Sequence, residues 1–142
     1  NENIESSSSS INELNTDSKY YKKKFFILNF FGSKKEVVNK IKVKVITLYD
    51  FLIENKINNI DLLKIDTEGH EYQVLKGLGD KFNIINSILL EHHFDDMLIK
   101  NYKLSNIHDL LIENGFKKRF KVKMKFRKSF EYLYVNKNFL IE

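Results

Sequence analysis

Cysteine, proline, tryptophan and alanine are absent from the 142-residue sequence. The lack of cysteine excludes disulfide bonds, thiolate zinc sites and cysteine nucleophiles. No apolar run approaches the roughly 18 to 20 residues that a membrane-spanning helix needs. Hydrophobic residues make up 42% of the chain and charged residues 30%, a balance typical of a globular domain rather than of a disordered or fibrous chain. We therefore expect a cytoplasmic protein with a core of its own.

The net charge of +5 is local rather than general. Residues 117–128 hold eight of the 24 basic residues and no acid. Their alternation predicts a strand with one basic and one apolar face, carrying Lys121, Lys123, Lys125 and Arg127 opposite Phe120, Val122, Met124 and Phe126. Such a segment suits an edge strand on which lysines hinder pairing with other sheets. The alternative is a non-catalytic module that binds nucleic acid or an anionic surface. Nucleic acid is not favoured, because lysine supplies charge without base-reading geometry.

The N-terminal part contains few helix or strand signals. Residues 1–18 include a serine run at 6–10 and are predicted to form a polar arm that precedes a domain at 19–142. Residues 20–31 are aromatic and aliphatic around three lysines, which favours a strand. Residues 42–46 alternate between lysine and apolar side chains, and this pattern favours a second strand.

Helix and strand signals then alternate along the chain. Thr47 is followed three residues later by Asp50, a spacing typical of a helix N-terminus. Ser105 and Gly115 are placed to begin and end a later helix. Together the signals predict helices near 48–55, 70–78 and 105–115, and strands near 60–65, 84–90, 120–126 and 132–135.

Alternating strands and helices predict an α/β fold, with a mostly parallel sheet and helices on both faces. The last two strands are separated only by a short turn near Lys128 and Ser129, so they must form an antiparallel hairpin. A parallel sheet that ends in such a hairpin resembles the C-terminal part of a Rossmann-like class I methyltransferase fold. We expect the strand at 60–65 in the middle of the sheet, with the strand at 84–90 parallel beside it.

Polar side chains follow two neighbouring strands of the predicted sheet. Asp66 comes directly after the first strand, and Glu91, His92 and His93 follow the second. Ligands of open parallel sheets bind beyond the carboxyl ends of the strands, which makes this edge the predicted site. Acids near helix N-termini also cap amides, so a structural role stays open. A metal site is not expected, because adjacent histidines on a strand point in opposite directions.

The residues around this edge carry a family resemblance. Its most specific part is LLKIDTEGHE at 62–71, preceded by VKVITLYDFL at 43–52 and followed by VLKG at 74–77. These segments resemble the FkbM family of methyltransferases. The serine-rich stretch near Ser8, with Asn12 beyond it, is similar to a loop of the same family. The resemblance runs from about residue 7 to residue 92.

The resemblance implies an enzyme that transfers a methyl group from S-adenosylmethionine to a hydroxyl group of a sugar or another hydroxylated metabolite. It implies that the turn after the strand at 60–65 lies beside the methyl donor and the acceptor. The positions that it implies for donor binding are Asp66, Glu68, Gly69 and Glu71. Asp66 is the first candidate for a role at the catalytic centre, and His70 and His92 are candidates to assist it.

One element of the family pattern is missing from the sequence. Methyltransferases of this fold hold the donor on a glycine-rich loop after the first strand, and Gly32 is the only glycine before Gly69. Gly77 and Gly79 fit a G-x-G pattern, but they lie at a helix end rather than after a strand. We therefore expect a fragment of the domain that by itself binds the donor poorly or not at all and is inactive. The open edge of the strand at 60–65 then favours self-association.

Overall fold

The computed structural model describes residues 10–30, 42–125 and 128–140. In chain order its elements are α1 (Lys19–Phe30), α2 (Leu48–Glu54), β1 (Ile60–Ile65), α3 (Glu71–Lys76), β2 (Ile85–His93), α4 (Leu104–Glu113), β3 (Phe116–Lys123) and β4 (Ser129–Asn136). Short 3₁₀ turns precede β2 and follow β4. The division into an arm at 1–18 and a domain at 19–142 stays a prediction, since residues 1–9 lie outside the described ones.

The four strands form one mixed sheet in the order β1-β2-β4-β3. β1 and β2 are parallel, whereas β4 is antiparallel to both of its neighbours. The prediction of a mostly parallel sheet is therefore wrong, although the α/β class and the C-terminal hairpin are confirmed. The reason is connectivity: β1 and β2 are joined by a helical crossover, while the hairpin places β4 directly against β2. Helices on both faces of the sheet stay a prediction.

β1 lies at an edge of the described sheet rather than in its middle. The parallel neighbour predicted for it is present, but β2 takes the inner position because it pairs on both sides. Residues 42–47 form no strand beside β1, so the strand predicted at 42–46 is wrong. Val43 is 68% exposed, and an extended segment without a partner gains no ladder hydrogen bonds. Self-association through the β1 edge stays a prediction.

Residues 19–30 are helical although their composition favours a strand. The Ser18 hydroxyl accepts a hydrogen bond from the Tyr21 amide at 3.1 Å and donates one to Asp96 Oδ1 at 2.7 Å. This cap satisfies a free amide and ties the helix start to a distant loop, which outweighs the strand propensity of the aromatic side chains. The strand predicted at 20–31 is therefore wrong over its described residues. None of the described helices, α1 included, is long and apolar enough to cross a bilayer.

Local capping signals predict some helix ends and miss another. The Thr47 hydroxyl accepts a hydrogen bond from the Asp50 amide at 3.1 Å, as predicted for the start of α2. Gly115 follows α4 with a φ of 85°, a left-handed conformation that favours glycine. Ser105 does not begin α4. The helix starts one residue earlier, because the Asn106 side chain accepts the Lys103 amide at 2.8 Å and closes the first turn.

The hydrophobic core contains side chains at paired positions of three strands. Ile65, Leu90 and Tyr132 lie side by side across β1, β2 and β4, and each is at most 2% exposed. Ile88 and Tyr134 form a second such pair. The helices contribute four buried side chains to the same cluster: Leu52, Leu75, Ile107 and Leu111. This core fixes the carboxyl ends of β1 and β2 relative to each other.

β3 is the other edge strand, and its basic side chains are exposed. Phe120 is 45% exposed as well, so neither the basic nor the apolar face of β3 is buried there. Lys121 Nζ lies 4.1 Å from the centre of the Phe130 ring. This cation–π contact holds one of the lysines against a neighbouring strand of the same sheet. Residues 126 and 127, assigned to the same strand, lie outside the described residues.

We predict that Leu90 and Leu62 differ sharply in their contribution to stability. Leu90→Ala should lower the free energy of unfolding by about 2 to 5 kcal/mol, because it leaves a cavity in the core. Leu62, on the edge strand β1, is 54% exposed, and Leu62→Ala should cost about 0.5 kcal/mol. Urea unfolding of both variants measures the difference. Equal losses would contradict the central position of β2.

Candidate functional site

The carboxyl ends of β1 and β2 lie side by side, with Ile65 opposite Leu90. Residues 66–70 leave β1 and enter α3, and we name this segment the signature turn. Glu68 and Gly69 have φ angles of 48° and 93°, both in the left-handed region. Glutamate rarely adopts this conformation, so the turn needs support from the side chains around it.

The buried side chain of Glu71 holds the signature turn in place through hydrogen bonds. It is 0% exposed, and its Oε1 accepts a hydrogen bond from the Gly69 amide at 2.7 Å. Its Oε2 accepts one from the Tyr102 hydroxyl and lies 3.8 Å from Nδ1 of His92. A buried carboxylate is stable only where such donors replace water. Glu71 therefore ties the turn after β1 to β2 and to the segment before α4.

Opposing influences act on the ionisation of Glu71. Burial is the largest of them and raises the pKa of its carboxyl group. The contacts with His92, Tyr102, the Gly69 amide and its own amide outweigh burial and lower the pKa below its usual value of 4.5. Burial, followed by the Glu71 carboxylate, raises the pKa of the Tyr102 hydroxyl. Glu71 is thus charged and Tyr102 neutral at pH 7, as their hydrogen bond requires.

His93 is the centre of a second cluster. Its Nε2 lies 3.2 Å from Glu68 Oε2 and 3.3 Å from Glu91 Oε1, and its Nδ1 lies 3.6 Å from Asp95 Oδ2. The interaction with the Asp95 carboxylate is the main influence that raises the pKa of His93. Burial lowers this pKa, and the charges of the three carboxylates raise it further. The carboxylates thus favour the charged form of His93, and its contact with Glu68 links the signature turn to β2.

Lys100 adds a second cation beside this cluster. Its Nζ donates to the backbone oxygen of His93 and, at 3.4 Å, to that of Asp95. Burial lowers the pKa of Lys100, although neighbouring carboxylates raise it in part. In the described part of the chain, no group of three or more histidines and carboxylates is arranged to hold a metal ion.

Residues 10–15 run along the signature turn. Ser10 Oγ donates to the backbone oxygen of Glu68 at 2.8 Å, and Asn12 Nδ2 donates to that of Gly69 at 2.6 Å. A Cβ atom on Gly69 would come within 3.0 Å of Asn12 Nδ2, and the positive φ of Gly69 adds strain for any other residue. The close approach of the arm to the turn therefore requires glycine at this position.

A depression of about 390 Å³ opens beside the end of β2. His92, Phe94, Lys100 and Tyr102 are among its lining residues. Phe94 is 51% exposed, and the His92 ring packs edge-on against it with 4.9 Å between the ring centres. An aromatic surface next to charged groups suits a small polar molecule with an apolar face.

The predicted site residues divide between the two clusters. Gly69, Glu71 and His92 belong to one connected network, whereas Glu68 belongs to the cluster around His93. The two histidines occupy successive positions of β2 and contact different partners, so their opposite directions are confirmed. They lie within the strand instead of after it, because β2 extends three residues past its predicted end.

Asp66 and His70 lie at the rim of the site. Asp66 is exposed, and its Oδ2 lies 3.6 Å from Nζ of Lys64. His70 is half-buried at the start of α3, and its Nδ1 lies 3.1 Å from Oδ1 of Asn12. Unlike the Glu71 network, both side chains retain access to solvent.

Sequence reasoning does not single out Tyr102, Lys100 or Asp95. Tyr102 lies 31 residues from its partner Glu71, and no local pattern indicates that pair. The available signal is a dense run of charged and aromatic residues at 91–103, after an apolar strand. Loops of this composition at strand ends often carry functional side chains.

A comparison with known families places this site in context. The family model described as Methyltransferase FkbM domain matches residues 3–118, which is more than half of the chain. This confirms the resemblance predicted from residues 62–71 and extends it through α4. No curated protein and no solved structure matches the chain.

The methyl donor implied by this match is S-adenosylmethionine, which carries a positively charged sulfur. The exposed carboxylate of Asp66 and the half-buried one of Glu68 suit such a cation and its hydroxyl groups. There is no open space beside Gly69 for a ligand, because side-chain atoms of Asn12 and Lys100 lie within 3.3 Å of a Cβ atom placed on this residue. Among the described residues, the carboxylates of Asp66 and Glu68 are therefore the groups that suit the positive charge of the donor.

We predict that His93 makes the stability of the fold depend on pH. Its raised pKa means that protonated His93 stabilises the folded state fully below its usual pKa of 6.5, and that this contribution is lost as the pH rises through the higher folded-state value. The free energy of unfolding of wild type should fall as the pH rises above about 6.5, and that of His93→Gln should fall less.

The matched control is His108→Gln, since His108 lies 3.3 Å from the Tyr134 hydroxyl rather than among carboxylates. Chemical unfolding at a series of pH values measures the slopes. The same slope for wild type and His93→Gln would show that the carboxylates around His93 do not favour its charged form.

Proposed function

The chain belongs to the FkbM family of methyltransferases, and on that premise we propose that it transfers a methyl group from S-adenosylmethionine to a hydroxyl group of a sugar or another small hydroxylated metabolite. The observation that carries the proposal is the signature turn. This family motif lies at the ends of two parallel strands, and Glu71 holds it through the Gly69 amide. Parallel sheets bind their ligands at this edge.

Asp66 and Glu68 are the residues proposed to hold the donor. The donor supplies a methyl group that its positively charged sulfur makes electrophilic. A nearby carboxylate attracts that charge, and carboxylate oxygens also accept hydrogen bonds from hydroxyl groups. Lys64 Nζ lies 3.6 Å from Asp66 Oδ2, but both side chains are exposed, and such a surface ion pair is weak enough to leave the carboxylate available to a cationic ligand.

The hydroxyl acceptor must lose its proton as its oxygen bonds to the methyl carbon. Imidazole is the side chain whose ordinary pKa lies closest to neutral pH. His70 and His92 therefore suit this task better than the Asp66 carboxylate. Of the two, His92 is 4% exposed, whereas His70 lies at the rim.

The depression beside β2 is proposed to hold the body of the acceptor, with the reacting hydroxyl group outside it at the rim, where His70 lies, since His70 is not one of the lining residues. The volume of the depression, about 390 Å³, suits a molecule of monosaccharide size. The exposed ring of Phe94 offers an apolar surface to one face of a sugar, and Lys103 and Asp95 at the lining offer polar contacts to its hydroxyl groups.

We predict that Asp66→Asn weakens the binding of S-adenosylmethionine by about 10- to 100-fold, because a contact to a charged group contributes about 1.5 to 3 kcal/mol. Binding of S-adenosylhomocysteine, whose sulfur is neutral, should weaken less. Isothermal titration calorimetry of the purified protein with each compound measures both effects. Transfer of a tritiated methyl group to a panel of sugars tests the reaction itself.

Asp61→Asn is the matched control. Asp61 is an exposed residue of β1, the strand that precedes Asp66, and its carboxylate accepts a hydrogen bond from the Asn59 side chain at 3.2 Å. This variant should bind both compounds as the wild type does. Equal affinities for Asp66→Asn and wild type would remove Asp66 from donor binding, and a wild type that methylates no hydroxylated acceptor would contradict the proposed function.

A further inference from the structure

The side-chain amide of Asn12 is held in one orientation by its partners. Its Nδ2 donates to the backbone oxygen of Gly69 at 2.6 Å and to that of Ile99 at 3.0 Å. Backbone oxygens accept hydrogen bonds and never donate them. Exchanging the nitrogen and oxygen of this amide would set an acceptor against both carbonyls, so the assignment follows from chemistry rather than from the position of the atoms alone.

This orientation determines where His70 carries its hydrogen. Oδ1 of Asn12 lies 3.1 Å from Nδ1 of His70, and an amide oxygen can only accept. Nδ1 must therefore be the donor and carry the hydrogen. In the neutral ring the other nitrogen, Nε2, then keeps its lone pair. Histidine in water prefers the opposite form, with the hydrogen on Nε2, so Asn12 selects the less common tautomer.

His70 is the last residue of the signature turn and is half-buried at the start of α3, at the rim of the site. Within the described residues, the bond to Asn12 is the only hydrogen bond that its side chain makes. Asn12 thus occupies Nδ1 and leaves Nε2 available for an external hydroxyl group.

His92 is less suited to exchange a proton with a substrate. Its Nδ1 is buried and lies 3.8 Å from Oε2 of Glu71. Its ring also packs against Phe94 and Tyr102, with 4.9 and 5.9 Å between ring centres. These contacts suit a residue that holds the Glu71 network in place.

We infer that His70 is the catalytic base of the proposed methyl transfer, on which this inference rests, and that Asn12 is its positioning residue. The O–H bond of the acceptor breaks and its proton moves to Nε2. The electron pair of the oxygen forms the new bond to the methyl carbon, and the pair of the breaking carbon–sulfur bond stays on sulfur. His70 ends as a cation, and its Nδ1 hydrogen remains bonded to Asn12.

Nitrogen-15 NMR of the imidazole rings, at an alkaline pH where they are neutral, tests the tautomer directly. The wild type should show His70 with its hydrogen on Nδ1, identified by the signals that vanish in His70→Gln. Asn12→Leu should shift His70 to the Nε2–H form. Asn15→Leu is the control on the same arm, because Asn15 is held through its backbone amide by Met97 O at 2.8 Å. It should leave the signals unchanged.

Methyl-transfer rates test the role of the ring. His70→Gln should lower kcat by about 10²- to 10⁴-fold, the usual contribution of a general base. Asn12→Leu should lower kcat by about 5- to 10-fold, in proportion to the smaller population of the competent tautomer. Asn12→Leu should add no further loss of kcat in a His70→Gln background, because its effect acts through the imidazole ring, whereas a general loss of structure would lower kcat in both backgrounds.

The outcomes separate this inference from the proposed function. The Nδ1–H tautomer in the wild type together with the loss of rate in His70→Gln supports it. An Nε2–H tautomer in the wild type, or full activity of His70→Gln, overturns it while the methyl transfer stands. A wild type that methylates no hydroxylated acceptor overturns the proposed function, and the role of His70 with it.

Discussion

The buried carboxylate of Glu71 is the constraint on which the site depends. It accepts hydrogen bonds from the Gly69 amide and the Tyr102 hydroxyl and faces His92, so three separate parts of the chain meet at one charge. Removing one of these partners would leave the buried charge less well compensated, which proteins tolerate poorly. The signature turn, the end of β2 and the segment before α4 therefore hold fixed positions, while the side chains of the rim stay accessible to a ligand.

The elements that can be predicted from the sequence are those whose conformation depends mainly on neighbouring residues of the chain. The segment before Asp66 and the first part of β2 are largely apolar runs that indicate strands, although β1 is partly exposed and β2 continues through Glu91 to His93. Helix α1 could not be found in this way, because its start depends on a hydrogen bond between Ser18 and Asp96, 78 residues apart. The position of β1 at an edge depends on which strands are present beside it, and its own sequence carries no trace of that.

The same division applies to the candidate site. The signature turn was predictable because its motif is contiguous, and the comparison confirms the family that it indicates. The partners that give its residues their properties come from far along the chain. Asn12 lies 58 residues from His70, and Tyr102 lies 31 residues from Glu71. Sequence alone therefore ranks Asp66 first, whereas the proposal of His70 as the base rests on its contact with Asn12.

Hydrogen exchange at the Gly69 amide is the most direct test of whether Glu71 holds the signature turn. This amide is buried and bonded to Oε1 of Glu71 at 2.7 Å, so in the wild type it should exchange as slowly as the amides of the inner strand β2. In Glu71→Ala the protection of Gly69 should be lost while that of β2 remains. Fast exchange of Gly69 in the wild type, or undiminished protection in Glu71→Ala, would show that Glu71 does not hold the signature turn.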